Sequence, residues 1–367
     1  PERKMLDFGI GENDEMAPEG VRDVMRREID QPENRGYADN GILEFKESVA
    51  SFMEREFQVV LDPNKEINHC IGSKTAYAML PAAFINPGDV TLMTVPGYPV
   101  AGTATQWLGG EVYKIPLSPE NNFLPDLESI PSNILSRSKI LVLCYPNSPT
   151  GKTATVEFYE KVVEFAKKNR IIVVQDAAHM MLSYETAPLS FLSIEGAKDV
   201  GVEVHSMSKG FHMIGWRLGW VCGHEKIVQA FADVKDNCDS GQFIAIQKAA
   251  AAALGDPHIP HQVREKYRRR LEKLVGVLRS VGFECEMPGG TYFLYTKSPK
   301  GAGDQSFANA SEAGQFLIKE LSISTVPWDD CGAFTRFSVT YEAHDETAEN
   351  ELMADLHSRL TQAQLKF

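Results

Sequence analysis

The chain has 367 residues, more than one compact core usually organises, so we expect two lobes. Its composition, 43% hydrophobic and 24% charged, is that of an ordinary globular protein. The net charge of −13 argues against nucleic-acid binding, which needs a basic face, and against binding to an anionic membrane surface.

The six cysteines include no C-x-x-C pair, and most lie in apolar runs, as buried thiols in a reducing compartment do. We therefore expect a cytoplasmic protein. The nine histidines show no HExxH or comparable spacing, so no metal site is expected. No apolar run approaches the roughly 18 residues of a membrane span.

Between about residues 70 and 223, short apolar runs alternate with helical patterns. The runs at residues 90–96, 140–145, 171–175 and 202–206 are almost continuously apolar, which is typical of strands buried on both faces. A helical pattern covers Val156–Asn169 between two of them. This alternation predicts an α/β fold with a doubly wound, mainly parallel sheet. In the helix-like run that begins at Gly72, Pro81 should kink or shorten the helix.

After residue 250 the pattern changes. Apolar side chains recur at helical spacing from Val263 to Leu278, which predicts a long amphipathic helix. The three arginines at 268–270 are interpreted as its solvated face. A mixed α+β segment is expected from there to the end.

Polar residues follow three of the predicted strands, where α/β sheets bind their ligands. Lys209 follows one of them and could form a Schiff base with an aldehyde. Ser206, Ser208 and Arg217 beside it could hold a phosphate. An aldehyde that carries a phosphate describes pyridoxal 5′-phosphate (PLP). The alternative is a surface lysine in a glycine-rich loop.

Asp176 and Asn147 follow the other two strands. A carboxylate at a buried strand end needs a cation, and a protonated pyridine nitrogen is one. Asn147 could donate a hydrogen bond to the cofactor's ring hydroxylate. The alternatives are a helix N-cap for Asp176 and an ordinary turn for Asn147.

Three further positions have both a functional and a structural interpretation. Ser73 begins a helix whose free N–H groups could bind phosphate, or it is an ordinary N-cap. Tyr98 could stack on a planar ring, or it packs within its loop. Arg336 could clamp a carboxylate with two hydrogen bonds, or it pairs on the surface of a strand.

These residues, in this order, resemble the fold-type I PLP enzymes of the class I/II aminotransferase family. The similarity runs from Gly9-Ile-Gly-Glu-Asn to Thr335-Arg-Phe, nearly the whole chain. It implies a large PLP-binding domain at residues 39–249 and a smaller α+β domain formed by residues 1–38 and 250–367. It also implies amino-acid and keto-acid substrates, and a homodimer with shared active sites.

The resemblance assigns a role to each matching residue. Lys209 is the Schiff-base lysine, Asp176 the partner of the pyridine nitrogen, and Asn147 a ligand of the ring hydroxyl. Tyr98 is the stacking aromatic, and Arg336, with Asn147 and Gly11, binds the substrate. The residues implied for the phosphate cup are Ser73, Lys74, Ser206, Ser208, Arg217 and, from the partner subunit, Tyr37.

One position departs from the family pattern. His179 stands where the family usually has a tyrosine that also bonds the ring hydroxyl. An imidazole can donate the same hydrogen bond but titrates near neutrality. We expect it to contact the cofactor and to change the pH profile.

Several phrases, among them Tyr37-Ala-Asp-Asn-Gly, resemble a branch of the family, the LL-diaminopimelate aminotransferases, which serve lysine biosynthesis. Asp39, Asn40 and Gln242 are then candidate contacts for the distal end of the substrate, or turn and cap residues. The alternatives are a general aspartate, glutamate or aromatic aminotransferase and a PLP-dependent carbon–sulfur lyase. An aminotransferase-like regulator would need a DNA-binding segment and a basic surface, which this sequence does not show.

Overall fold

The computed structural model describes residues 3–367. The helices are α1 (Glu19–Glu28), α2 (Leu43–Phe57), α3 (Ser73–Phe84), α4 (Val100–Trp107), α5 (Ser132–Leu135), α6 (Val156–Asn169), α7 (Met207–Gly210), α8 (Glu225–Lys235), α9 (Ile244–Gly255), α10 (His258–Ser280), α11 (Ala310–Leu321) and α12 (Glu346–Gln362). The strands are β1 (Leu6–Asp7), β2 (Ile67–Cys70), β3 (Val90–Val95), β4 (Glu111–Pro116), β5 (Ser138–Cys144), β6 (Ile172–Asp176), β7 (Gly201–Ser206), β8 (Gly219–Gly223), β9 (Phe293–Lys297), β10 (Gly301–Ala302), β11 (Gln305–Ser306), β12 (Ile323–Ser324), β13 (Val326–Trp328), β14 (Phe334–Ser338) and β15 (Leu365–Lys366).

A seven-stranded sheet organises the larger lobe, in the order β2-β8-β7-β6-β5-β3-β4. Strand β8 runs antiparallel to both of its neighbours, and the remaining neighbours pair in parallel. The four apolar runs of the sequence are β3, β5, β6 and β7 of this sheet. The prediction of a mainly parallel α/β fold is therefore confirmed.

Helices cover both faces of the sheet because successive strand residues point to opposite sides. In β5, Leu141 and Leu143 pack into one core together with α2, α6 and α9. Ile140 and Val142 pack into a second core together with α3, α4 and α8. Burial on both sides is the reason that these strands are apolar without alternation.

The helix predicted between two of these strands is α6. Its N-terminus is capped by Thr155, whose hydroxyl oxygen accepts a hydrogen bond from the Phe158 N–H at 3.2 Å. Its C-terminus ends at Arg170, which has a left-handed φ of 56°. The sequence and the structure agree on the bounds of this element.

A second lobe is built around the antiparallel sheet β13-β14-β9. Its core contains the apolar face of α10 together with α11 and α12. The N-terminal segment contributes to both lobes. Leu6 and Phe8 pack into this core, and β1 pairs with β12, whereas Ala17 and Val21 pack against the large sheet. The division of the chain at residues 38/39 and 249/250 stays a prediction.

Two details of the helices differ from the sequence interpretation. Of the two effects expected of Pro81, shortening does not occur, because α3 continues to Phe84 and the Pro81 carbonyl accepts from the Ile85 N–H at 2.8 Å. A kink at Pro81 stays a prediction. The interpretation of residues 268–270 as a solvated face is wrong for Arg270, which is fully buried. None of the helices in residues 3–367 has the length and apolarity needed to cross a membrane.

Arg270 is the centre of an ion cluster that we call the Arg270 cluster, formed with Asp14 and Glu349. Its guanidinium donates to Glu349 Oε1 at 2.7 Å and to Asp14 Oδ2 at 3.0 Å. It also donates to the backbone carbonyls of Val339, Tyr341 and Ala343. Burial of this arginine is possible because these acceptors occupy its donors.

Candidate active site

The carboxyl ends of β5, β6 and β7 meet at one edge of the large sheet, because these neighbouring strands are parallel. Asn147 follows β5, Asp176 ends β6, and Lys209 lies in the short helix α7 that follows β7. The structure therefore brings the three chemically distinctive residues of the sequence to the place where open α/β sheets bind ligands.

The Lys209 amine is held by the N-terminal segment of the chain. Its Nζ donates to the Gly11 carbonyl at 2.9 Å, and Asn13 Nδ2 donates to the Lys209 carbonyl at 2.9 Å. Burial lowers the pKa of Lys209 to about 8, opposed by the Glu12 carboxylate and assisted by the positive charges of Arg217 and Arg336. A substantial share of this amine is therefore neutral, and nucleophilic, near physiological pH.

Asp176 is a buried carboxylate with few partners. Its Oδ1 accepts from the Ala178 N–H at 3.0 Å, and its side chain forms no salt bridge with any residue in the described range 3–367. Burial raises its pKa, whereas the Ala178 N–H and the Tyr77 hydroxyl lower it. Such a group is suited to pair with a buried cation that the polypeptide does not itself supply.

Asn147 and His179 both carry buried polar atoms that no group in residues 3–367 satisfies. The side-chain oxygen of Asn147, Oδ1, accepts hydrogen bonds from the N–H and the hydroxyl of Thr150. The Nδ2 amide hydrogens of Asn147 are unpaired. His179 packs against Tyr292 and Phe293, and its Nδ1 has no partner. Burial lowers the pKa of His179 to about 3, with the charges of Lys209 and Arg336 acting in the same direction, so the imidazole is neutral.

The N-terminus of α3 has the features of an anion site. Gly72 precedes the helix with a φ of 75° and no side chain caps it, so the N–H groups at Ser73 and Lys74 face outward. The Arg217 guanidinium lies against Gly72, where a β-carbon would clash with it. Arg217 Nη1 is 3.4 Å from Ser208 Oγ, and Ser206 caps α7 by accepting from the Ser208 N–H. Five of the residues expected for the phosphate cup are thus assembled around one position.

Arg336 lies in β14 on the other side of this space. Its Nη2 donates to the Gly9 carbonyl at 2.7 Å, and its guanidinium stacks 4.0 Å from the centre of the Phe293 ring. In the described part of the chain it forms no salt bridge, and its buried Nε has no partner. Burial lowers its pKa to about 10. A half-buried arginine without a carboxylate can bind one from a ligand.

The remaining predicted residues lie farther out. Tyr98 is 38% exposed and meets Tyr77 edge to face at 6.2 Å, and Tyr37 is 86% exposed. The Asp39 carbonyl accepts from the buried Lys235, and the Asn40 amide donates to Asp236. The Gln242 amide bonds to His69, Trp216 and Arg217. Their contacts with ligand stay predictions.

Sequence reasoning missed two residues of the site, Tyr77 and Tyr292. The Tyr77 phenol is buried beside Asp176. The Tyr292 hydroxyl donates to the Gly11 carbonyl at 2.6 Å, and its ring lies 5.5 Å from Lys209 Nζ. Neither tyrosine lies at the carboxyl end of a strand of the large sheet, so a search of the strand ends in the sequence does not find them.

The residues fit PLP on three observations: the buried Asp176 carboxylate, the unpaired Asn147 amide, and the uncapped α3 terminus beside Arg217. Together with the Lys209 amine, they define a PLP-dependent enzyme of the α/β type. The chain belongs to the aminotransferase class I and II family, whose family model matches residues 3–355.

Individual relatives agree with this assignment. The chain is 53% identical to the LL-diaminopimelate aminotransferase of Methanocaldococcus jannaschii, over 100% of this chain and 90% of that protein. It is 50% identical to the protein of the same name from Methanococcus maripaludis, with the same coverage. Among solved structures, substrate-bound BacF from Bacillus subtilis superimposes with a TM-score of 0.92 at 30% identity, covering 99% of this chain and 91% of that one.

Proposed function

We propose that this aminotransferase forms LL-diaminopimelate from tetrahydrodipicolinate in lysine biosynthesis, with glutamate and 2-oxoglutarate as the second amino-acid and keto-acid pair. The observation that carries the proposal is the identity of 53% and 50% to two proteins named LL-diaminopimelate aminotransferase, over the whole of this chain. The six cysteines are free thiols, which supports a reducing, cytoplasmic setting.

The cofactor would be held by residues that follow strands β5, β6 and β7 and by residues at the N-terminus of α3. Asp176 would pair with the pyridine nitrogen, and Asn147 and His179 would donate to the ring hydroxyl, with Tyr98 against the ring. The phosphate would be bound by Ser73, Lys74, Ser206, Ser208 and Arg217. When bound, PLP supplies an electron sink for the electrons released at the substrate α-carbon.

The chain's own residues bind the substrate and move its proton. Arg336 would bind the α-carboxylate through its two-pronged guanidinium, with Gly11 and Asn147 beside it. This fixes the α-carbon near Lys209 Nζ. With a pKa near 8, the Lys209 amine can take the α-proton as a base and return it as an acid, since both forms are populated near neutral pH.

The site would be completed by a second copy of the chain. Tyr37 is 86% exposed although its neighbours are fixed, because Lys235 bonds the Asp39 carbonyl and Gly241 packs against Ala38. An exposed aromatic residue on a fixed segment is suited to reach across a subunit interface. We propose that Tyr37 enters the partner's phosphate cup in a homodimer with shared sites, and that Asp39 contacts the distal end of the substrate.

The test is the first half of the reaction, followed without any coupling enzyme. Purified PLP-loaded protein is mixed with LL-diaminopimelate, glutamate, aspartate or an aromatic amino acid, and the loss of the cofactor's visible absorbance is recorded. We expect LL-diaminopimelate and glutamate to react fastest. Restoration of the absorbance only by a keto acid indicates transfer, whereas release of ammonia and pyruvate from cysteine conjugates indicates a lyase. A faster reaction with aspartate or an aromatic amino acid would contradict the substrate assignment.

A further inference from the structure

The side-chain amide of Gln242 joins three parts of the large lobe. Its Nε2 donates to the carbonyl oxygens of Trp216 and Arg217, at 2.7 Å each. Its Oε1 lies 3.0 Å from Nε2 of His69. The amide therefore connects the His69 ring to the backbone of Trp216 and of Arg217, the arginine of the candidate phosphate site.

The orientation of the amide follows from its partners. Two carbonyl oxygens can face only the NH₂ group, so the amide oxygen must accept from the His69 ring. His69 is fully buried, and burial lowers its pKa to about 4, so the ring is neutral with its hydrogen on Nε2. The direction of donation therefore runs from His69 to Gln242 and from Gln242 to the two carbonyls.

Arg217 is a residue whose backbone needs such support. It has a φ of 57°, in the left-handed region that non-glycine residues seldom adopt, at the end of the 3₁₀ turn Ile214–Trp216. Its guanidinium must lie between Gly72 and Ser208 to face the N-terminus of α3. A rotation of this peptide would swing the guanidinium away from that position.

Gln242 is itself rigidly placed. The Gln247 side chain donates to the Gln242 carbonyl at 2.8 Å, and its Oε1 accepts from the Ile42 N–H at 2.8 Å. Gly241 N–H donates to Asp239, which also pairs with the buried Lys235. The amide thus acts from a fixed segment.

We propose that Gln242 is a positioning residue for the cofactor phosphate: its amide fixes the backbone of Trp216 and Arg217 so that the guanidinium is presented at the α3 terminus. This role differs from the substrate contact expected from the sequence, and it rests on the proposed PLP site. It predicts that loss of the Gln242 amide weakens binding of the cofactor's phosphate group and leaves binding of its pyridine ring unchanged.

The test compares two ligands that differ only in the phosphate. Dissociation constants of PLP and of pyridoxal are measured for apoenzyme carrying Gln242→Leu, which removes the amide and keeps a side chain of similar length. We expect PLP to bind about 10-fold or more weakly, the loss that accompanies one weakened charge-assisted hydrogen bond, with pyridoxal unaffected. The ³¹P resonance of bound PLP should also shift.

Two controls distinguish an effect on the position of Arg217 from a general destabilisation of the large lobe. Asn34→Leu removes another buried amide, whose hydrogen bonds go to Glu28 and not to Gln242 or its partners, and it should not weaken PLP selectively. In an Arg217→Ala background, Gln242→Leu should cause little further loss, because it acts through that arginine. If Gln242→Leu does not fold, Gln242→Asn, whose shorter amide cannot span its three partners, is measured in the same way.

The outcomes are distinct. Equal weakening of PLP and pyridoxal, no weakening of either, or the same selective loss in Asn34→Leu would overturn the positioning role. The positioning role would also be overturned if Gln242→Leu weakened PLP binding as much in the Arg217→Ala background as it does in the wild-type protein. Failure of the wild-type protein to bind PLP would instead contradict the proposed function, so the two hypotheses fail by different results.

Discussion

Replacement of Arg270 by methionine should strongly destabilise the protein. The variant keeps an unbranched apolar side chain but removes the guanidinium, and so leaves Asp14 and Glu349, which are 3% and 2% exposed, without their shared partner. Removal of one partner from a buried ion pair costs about 3–5 kcal/mol. Lys266 still reaches Asp14 and Lys273 still reaches Glu349, so we expect the lower part of that range.

The adjacent arginine provides a matched control. Arg269 also donates to Glu349 at 2.9 Å, but its side chain is 42% exposed. Exposed pairs contribute about 0.2–1 kcal/mol, so Arg269→Met should change the free energy of unfolding by no more than that. Urea denaturation at one fixed PLP concentration measures both variants, because bound cofactor itself adds stability. Equal losses in the two variants would refute the reasoning from burial.

The ion pair between Arg270 and Glu349 should also make the stability of the protein depend on pH. Burial raises the pKa of Glu349, but hydrogen bonds from Arg269, Arg270 and Lys273 outweigh it and lower the pKa from 4.5 to about 2. A depressed carboxyl pKa gives stability that is fully present above the unfolded value and is lost as the pH falls towards the folded one. Arg270→Met removes one of these hydrogen bonds and brings the folded pKa of Glu349 closer to the unfolded value, so the variant should lose less stability than the wild type as the pH falls from 4.5 to about 2. The difference in the free energy of unfolding between the two proteins should therefore shrink over this pH range.

Three predictions concern the site itself. Reaction of the apoenzyme with pyridoxal should rise with pH to a midpoint near 8, because the Lys209 amine reacts only when neutral; Lys209→Ala should abolish it, and borohydride should fix the label on the Lys209 peptide, not on Lys74. Tyr37→Phe and Lys209→Ala, if each is inactive, should restore activity when their subunits exchange, and no recovery after verified exchange would count against a shared site. His179→Tyr should keep PLP bound and shift the pH dependence of its absorbance; an unchanged titration in both His179→Tyr and His179→Ala would show that the imidazole does not contact the ring.

Much of the large lobe could be predicted because its signals are local. Strands β3, β5 and β6 are buried on both faces and consist mainly of apolar residues, and the candidate site residues follow at the strand ends. Strand β7 differs, because the buried Glu203 and His205 alternate with Val202 and Val204. Arg270 could also have been found. It lies three residues after Tyr267 and four before Leu274, on the buried face of α10, where an arginine needs acceptors from elsewhere.

Other parts of the site depend on contacts that no local pattern encodes. Tyr292 and Gly11 are 281 positions apart, and their hydrogen bond exists only because the two lobes meet around Lys209. The three arginines of α10 have the same charge, and only the packing of α12 and the N-terminal segment decides which of them is buried. The hydrogen bonds of the Gln242 amide likewise depend on strand β2 and on the turn at residues 214–217, which are remote from it in sequence.

The placement of the N-terminal segment has a consequence for the order of events during synthesis. Gly9, Ile10 and Gly11 are held by Arg336, Thr340 and Tyr292 respectively, and β1 pairs with Ile323 and Ser324. These residues are therefore synthesised long before the partners that hold them. The strands of the large sheet all lie before residue 224, so they can pair while translation continues, but the pocket around Lys209 can close only after residues 292–340 have been synthesised.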